Sequence, residues 1–189
     1  MIYKTHYDSP LGGILLLADE KGLTGLWFDG QKYYAQGQAD LESEAGAAIC
    51  NAPCEEELAP LLADAKCWLD IYFSGNEPDF DLPLNPTGTD FQKSVWSILC
   101  MIPYGKTMTY GQIAAQIAAE RGIARMSAQA VGGAVGHNPL SIIVPCHRVV
   151  GTNGSLTGYA GGIDRKIKLL TLEGINMSTF FVPKKGTAL

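Results

Sequence analysis

The pattern of apolar and polar positions divides the chain into two unequal readings. Near its start, three short stretches rich in apolar and β-branched residues, Ile2–Tyr7, Gly13–Ala18 and Leu23–Phe28, predict strands. The last two are joined by a tight turn at Asp19-Glu20-Lys21-Gly22. Residues 31–53 are polar, rich in Ala and Gly, and carry no period. From Glu55 the period changes to that of a helix: Leu58, Leu61, Leu62, Ala65, Trp68, Leu69, Tyr72 and Phe73 share one face, and Gly75 stops it. A small α+β domain over residues 1–75 is the expectation. Residues 76–88 hold Pro78, Pro83 and Pro86 without periodicity, which predicts a linker before a second domain over residues 89–189.

That second domain opens on helix signals. Thr89-Asp90-Phe91-Gln92 has capping-box spacing, in which a Thr hydroxyl and a Gln side chain exchange bonds with each other's backbone N–H groups. The helix it starts should bury Phe91, Val95, Ile98 and Leu99, hold Cys100 in the core, and end at Pro103-Tyr104-Gly105. A second box, Thr109-Tyr110-Gly111-Gln112, starts a helix through Glu120 with Gly122 as its stop, and Ser127 caps a third from Ala128 to about Val135. Two short helices joined by a brief turn fit a helix-turn-helix. The third helix carries Gly132, Gly133 and Ala134, almost without side-chain bulk, although each interior glycine costs about 1 kcal/mol relative to alanine. Either its backbone lies close to a partner or it packs tightly on another helix. After the turn Gly136-His137-Asn138-Pro139, the apolar run Ile142–Val144 predicts a short buried strand ended by Pro145. A glycine-rich loop, Gly151 to Gly162, lacks the spacing of a phosphate-binding loop. Asp164 should cap a last helix with Ile167, Leu169 and Leu170 inward and Glu173 at its end, where an acid opposes the helix dipole and so suggests a specific partner.

Charge sharpens the division. The net charge of −5 is an average: residues 1–87 hold 4 Lys and Arg against 15 Asp and Glu, a balance of −11, whereas residues 88–189 hold 10 against 4, a balance of +6. The second half can sit on a polyanion and the first cannot. Five cysteines, an odd number, and the lack of a charged-then-apolar leader after Met1 argue against a secreted disulfide framework and predict a cytoplasmic protein. The apolar run Ile14–Ala18 is too short to span a membrane.

The chemistry concentrates in Pro145-Cys146-His147-Arg148. A thiol is mostly protonated near neutrality, so a nucleophilic cysteine needs a base or a positive neighbour, and His147 and Arg148 are candidates for both. Adjacent side chains in a strand point to opposite faces, so Cys146 and His147 cooperate only if the chain leaves β geometry at Pro145 or a water bridges them. Taken alone, these residues fit equally a buried structural cysteine beside a surface histidine.

The ordered set Phe91-Gln92 with Val95-Trp96, Ile102-Pro103-Tyr104-Gly105, Thr109-Tyr110-Gly111, Ala130-Val131-Gly132, Asn138-Pro139, Pro145-Cys146-His147-Arg148-Val149-Val150 and Gly158-Tyr159-Ala160-Gly161-Gly162 resembles the O6-alkylguanine-DNA alkyltransferases, the methylated-DNA–protein-cysteine methyltransferases. The likeness covers about residues 88–176 closely, while the first 87 residues match only in size and element order. It implies an α/β protein: an N-terminal ribonuclease-H-like α+β domain, then a winged-helix-like domain whose helix-turn-helix enters the minor groove of double-stranded DNA, largely independent of sequence. It implies direct-reversal repair, with a methyl or small alkyl group moved irreversibly from O6 of guanine, and from O4 of thymine, to the protein's own cysteine, once per molecule. No cofactor and no metal are implied, and a monomer is expected.

Residue by residue, the resemblance makes Cys146 the nucleophile, His147 its base through a water, and Glu173 the group that orients His147. Tyr110 pushes the target phosphate and donates to the flipped base, and Asn138 braces the turn beside the cysteine. Val135, Val149, Tyr159 and Ala160 line the base pocket or the loop that closes over it; Ala130, Gly132 and Arg148 belong to the DNA- and substrate-binding set. Gln129 stands where better-known members have an arginine that fills the gap left by the flipped base; it can hydrogen-bond the orphaned base but brings no charge. Arg125, one turn earlier, is a candidate for the missing positive charge.

Other classes fit less of the chain. A cysteine hydrolase would use Cys146 and His147 but leaves the basic half unexplained. A lesion-binding relative of the same scaffold would have replaced the cysteine, which is present. A transcriptional regulator would carry bulky base-reading residues on Ala128–Val135, and this helix has none. Cys50, Cys54, Cys67 and His6 can be combined into four zinc ligands, but their spacing is poor.

Overall fold

The computed structural model describes residues 2–35, 49–50 and 59–184. The chain divides into two compact units, Met1–Thr87 and Gly88–Leu189.

In the first unit, β1 (Ile2–Ser9), β2 (Gly12–Asp19) and β3 (Gly22–Phe28) form consecutive antiparallel hairpins, and β4 (Ile49–Cys50) adds to β1 in parallel, giving the sheet order β3-β2-β1-β4. β4 falls in the stretch where the sequence carries no period. Both faces of β2 and β3 are buried, which is why these strands read as nearly continuous apolar runs instead of alternating ones. On one face Leu15, Leu17 and Trp27 pack together with Ile2. The Trp27 indole lies over Gly25, two residues back on the same face, where a Cβ would come within 1.9 Å of the ring. Helix α1 (Ala59–Phe73) packs on β1 and β2 through Leu62, Ala65, Leu69 and Tyr72, with a Tyr7 hydroxyl donating to Asp70 (2.7 Å). Its expected start at Glu55 and Leu58 lies outside the described residues.

The proline-containing stretch 76–88 is not loose along its length. Leu23 N–H donates to Pro83 O and Asn85 N–H to Leu23 O, both at 2.8 Å, and Leu82 is buried. Residues 83–85 therefore cover the exposed edge of β3, and the first unit extends to Thr87.

In the second unit both capping boxes form. They start α2 (Asp90–Cys100) and α3 (Tyr110–Glu120), and the Ser127 hydroxyl accepts from Ala130 N–H to start α4 (Ala128–Gly136). The buried face of α2 is Val95, Trp96, Ile98 and Leu99, and the Trp96 indole N–H donates to Ala134 O (2.9 Å), tying α2 to α4. Phe91 is half-buried with Arg121 over its ring, and Cys100 is exposed, not in the core, because it lies one step past Leu99 on the outward side. β5 (Met108–Thr109) pairs in parallel with β6 (Val149–Val150). Helix α5 (Ile163–Leu172) follows the glycine-rich loop; it begins at Gly162, with φ +91°, and Asp164 lies in its first turn without a capping bond, where its charge still favours the helix N-terminus. Among the described residues no helix is long and apolar enough to cross a membrane.

Candidate active site

The apolar run before the cysteine is a turn and not a strand. Ile143 N–H donates to Ser141 O (2.9 Å) across Ile142, whose φ is +71°, and Cys146 N–H donates to Val144 O (2.7 Å) across Pro145 at φ −80° and ψ 62°. These are two γ-turns, the first of the strained hand, and a β-branched residue held there costs on the order of 1–3 kcal/mol. Burial makes a turn as apolar as a buried strand, so the period could not separate them. Asn138 holds the turn in place: its amide donates to Val144 O (2.7 Å) and Leu140 O (3.3 Å), and its carbonyl accepts from Leu140 N–H (3.0 Å).

The turn delivers Cys146 to the start of a single 3-10 turn, Cys146–Arg148, in which successive side chains diverge by about 120°. The chain thus leaves β geometry at Pro145, and Cys146 and His147 are no longer confined to opposite faces. The Asn138 amide also donates to Cys146 Sγ (3.1 Å). Burial pushes the thiol up from its ordinary value, while the Asn138 bond and the charge of Lys166 pull against it. Cys146 therefore rests as a thiol near neutrality and needs a base when it reacts.

Glu173, at the end of α5, gathers the other two residues of the turn. Its carboxylate accepts from His147 Nε2 (2.6 Å), from Arg148 Nε (2.9 Å) and Nη2 (3.1 Å), and from Gly105 N–H (3.1 Å). Burial would raise this carboxyl, but the bonds from His147 and Arg148 and the charge of Arg148 hold it at about 2. Burial keeps His147 neutral despite the neighbouring carboxylate. With Nε2–H committed to Glu173, the network assigns the tautomer in which Nδ1 carries the lone pair. Arg148 is buried, its Nη1 donating to Ile102 O (2.6 Å) and its guanidinium lying over the Tyr104 ring.

Tyr110, at the start of α3, donates to the carbonyls of Thr157 (3.1 Å) and Gly158 (3.4 Å); burial raises its pKa, so it stays a neutral donor. Tyr159 is buried edge-on against His147. Val135 and Val149 are buried, whereas Ala160 is partly exposed. Gln129 and Ala130 are exposed on α4, and Gly132 is partly exposed beside the Tyr110 ring. Arg125 is exposed in the connector before α4.

One residue the sequence reading passed over is Lys166, fully buried, whose ammonium donates to Val149 O (2.5 Å) and Thr157 O (2.8 Å). Burial brings its pKa down to about 8. The signal was a lysine three and four residues before Leu169 and Leu170, on the inward face of an amphipathic helix. Among the described residues no group of three or more His, Cys, Asp or Glu is placed to hold a metal ion. Of the four zinc candidates, Cys54 and the Cys50 side chain lie outside what is described, and His6 sits on Asp29 (3.2 Å).

The chain matches two family models along nearly its whole length: the ribonuclease-like domain of 6-O-methylguanine DNA methyltransferase over residues 2–86, and its DNA binding domain over residues 90–175. The chain belongs to this family. It is 44% identical to a methylated-DNA–protein-cysteine methyltransferase of Methanosarcina barkeri over 93% of this chain and 99% of that one, and 43% identical to the Mycobacterium tuberculosis protein of the same name over 92% and 93%. The crystal structure of M. tuberculosis O6-methylguanine methyltransferase superposes with a TM-score of 0.70 at 40% identity, covering 92% of this chain and 93% of that one. The same protein solved in complex with DNA gives 0.68 at 40% identity, covering 90% and 92%. The 6-O-methylguanine DNA methyltransferase family is thus the frame for the chemistry: direct-reversal DNA repair by methyl transfer to a protein cysteine.

Proposed function

We propose that this chain binds double-stranded DNA and moves a methyl or small alkyl group from O6 of guanine, and from O4 of thymine, onto Cys146. The observation that carries the reading is the buried Cys146 thiol held 3.1 Å from the Asn138 amide, one residue before a His147 ring anchored on Glu173. In the step, Sγ attacks the alkyl carbon, the C–S bond forms, and the C–O bond breaks with its electron pair left on the base. The thiol proton passes through a water to His147 Nδ1, and a proton returns to the leaving base, which takes on negative charge as it departs. Tyr110, kept neutral and held at the pocket by the Thr157 and Gly158 carbonyls, is the donor that stabilises this charge when its hydroxyl turns from those carbonyls to the base.

An alkylated base inside the stack is out of reach of a buried thiol, so the nucleotide must rotate out of the duplex. The exposed side of α4, with Ala128, Gln129, Ala130 and Gly133, is the surface for the minor groove. A Cβ on Gly133 would meet nothing within 4 Å, so packing inside the protein does not require glycine there, and close approach to DNA does. Gln129 then occupies the gap left by the base. Among the described residues no group beside the product thioether is able to cleave it, so each molecule acts once; the protein works as a monomer in the cytoplasm. In this reading the first domain is the ribonuclease-like unit and the second the DNA-binding and transfer unit.

The test is stoichiometry: duplex carrying O6-methylguanine in excess should yield one restored guanine per protein molecule and then stop. Continued turnover, or tight binding without restoration, would overturn the reading, the latter in favour of a lesion binder.

A further inference from the structure

The family match ends at residue 175, yet the chain beyond it is built into the site's support. After a short 3-10 turn, Met177–Thr179, the residues run back along the glycine-rich loop. Phe181 N–H donates to Gly154 O (3.2 Å) and Leu156 N–H donates to Phe181 O (2.8 Å), a parallel bridge between Ser155 and Phe181. Gly154, at φ +83°, fits under this segment so closely that a Cβ would stand 2.5 Å from Thr179 O. Phe180 and Met177 pack on Val150, Leu156 and Leu170. The next residue of the strapped loop is Thr157, whose carbonyl receives both the Tyr110 hydroxyl and the Lys166 ammonium.

We infer that the segment Met177–Phe181 is a strap that positions the Thr157 and Gly158 carbonyls, and through them Tyr110 and Lys166, for alkyl transfer. The inference rests on the function proposed above. It predicts a division of labour. The strap bears on the pocket side, through Tyr110, and not on the exposed face of α4, so loosening it slows transfer without weakening attachment to undamaged duplex.

The decisive variant is Phe181→Pro, which deletes the N–H donated to Gly154 while its side chain is exposed and takes no part in the core. Phe180 already has φ −111° and ψ 152°, the extended geometry a residue before proline adopts, so the preceding residue need not move when the bond is removed. Phe181→Leu keeps the bond and is the control. Expected is a tenfold or greater fall in the first-order rate at saturating O6-methylguanine duplex for Phe181→Pro, with affinity for unmodified duplex unchanged, and a rate restored in Phe181→Leu. Phe180→Ala, which loosens the same strap from its packed side, should behave like the proline variant. A Phe181→Pro rate equal to wild type, or a parallel loss of rate and duplex affinity, would overturn the strap. Wild-type protein that transfers nothing would instead overturn the underlying function, so the two failures are distinct.

Discussion

Replacing Glu173 by Gln tests the polar cluster that orients His147. The carboxylate serves at least four donors, from His147, Arg148 and Gly105, and its side chain and that of His147 are fully buried. An amide keeps one acceptor oxygen and turns the other position into a donor facing donors, while Arg148 loses its counter-charge in a buried site. The size of the effect follows from the carboxyl's own titration. Its pKa falls from 4.5 to about 2, which corresponds to about 3 kcal/mol of stability. Because the folded value is the depressed one, that stability is fully present above pH 4.5 and is lost as pH falls toward 2. His147, held neutral by burial, adds a loss that sets in as pH falls below 6.5. Urea unfolding from pH 2 to 8 should therefore show Glu173→Gln weaker by about 3 kcal/mol near neutrality, with the gap to wild type closing between pH 4.5 and 2. Labelling of Cys146 by a thiol reagent at neutral pH should be faster by on the order of a hundredfold. A deficit below about 1 kcal/mol, or one that does not change with pH, would refute the cluster as described.

Three other substitutions separate the roles. Gly133→Ala should leave the protein as stable or more stable by about 1 kcal/mol, since its Cβ enters open space and alanine is the better helix former, while affinity for duplex falls; a loss of stability in urea would contradict this. Gln129→Arg should leave repair intact and strengthen duplex binding, with log affinity against log salt steeper by up to about 0.9, and a large loss of repair rate would refute it. Asn138→Ala removes the donor to the sulfur, so the thiol pKa rises further and the pH profile of transfer moves to higher pH; an unmoved profile would contradict the assignment.

Much of this arrangement was legible in the chain because the signals were local. Thr89 and Gln92, and Thr109 and Gln112, state their bonds in their spacing, and both boxes form as expected. The β2–β3 hairpin of the first unit follows from two apolar runs broken at Asp19-Glu20-Lys21-Gly22. What escaped depends on distant groups. Ile142–Val144 is apolar because it is buried, and only Asn138, whose side-chain bonds reach along the chain to Val144, decides that it turns. Lys166 reads as one more surface charge until the carbonyls of Val149 and Thr157 are seen around it. Arg148, grouped with the DNA contacts, spends its donors on Glu173 and Ile102 inside the protein. β4 follows from pairing with β1 and not from any period of its own.

The central claim is that the alkyl group ends on one sulfur. Intact mass measured after incubation with excess duplex carrying O6-methylguanine, followed by peptide mapping, addresses it directly, with Cys146→Ala alongside. The account predicts a gain of one methylene equivalent on Cys146 in every molecule and none in the variant. A gain on another cysteine, such as Cys67 or Cys100, which are exposed, or an unchanged mass while the duplex remains bound, would contradict it.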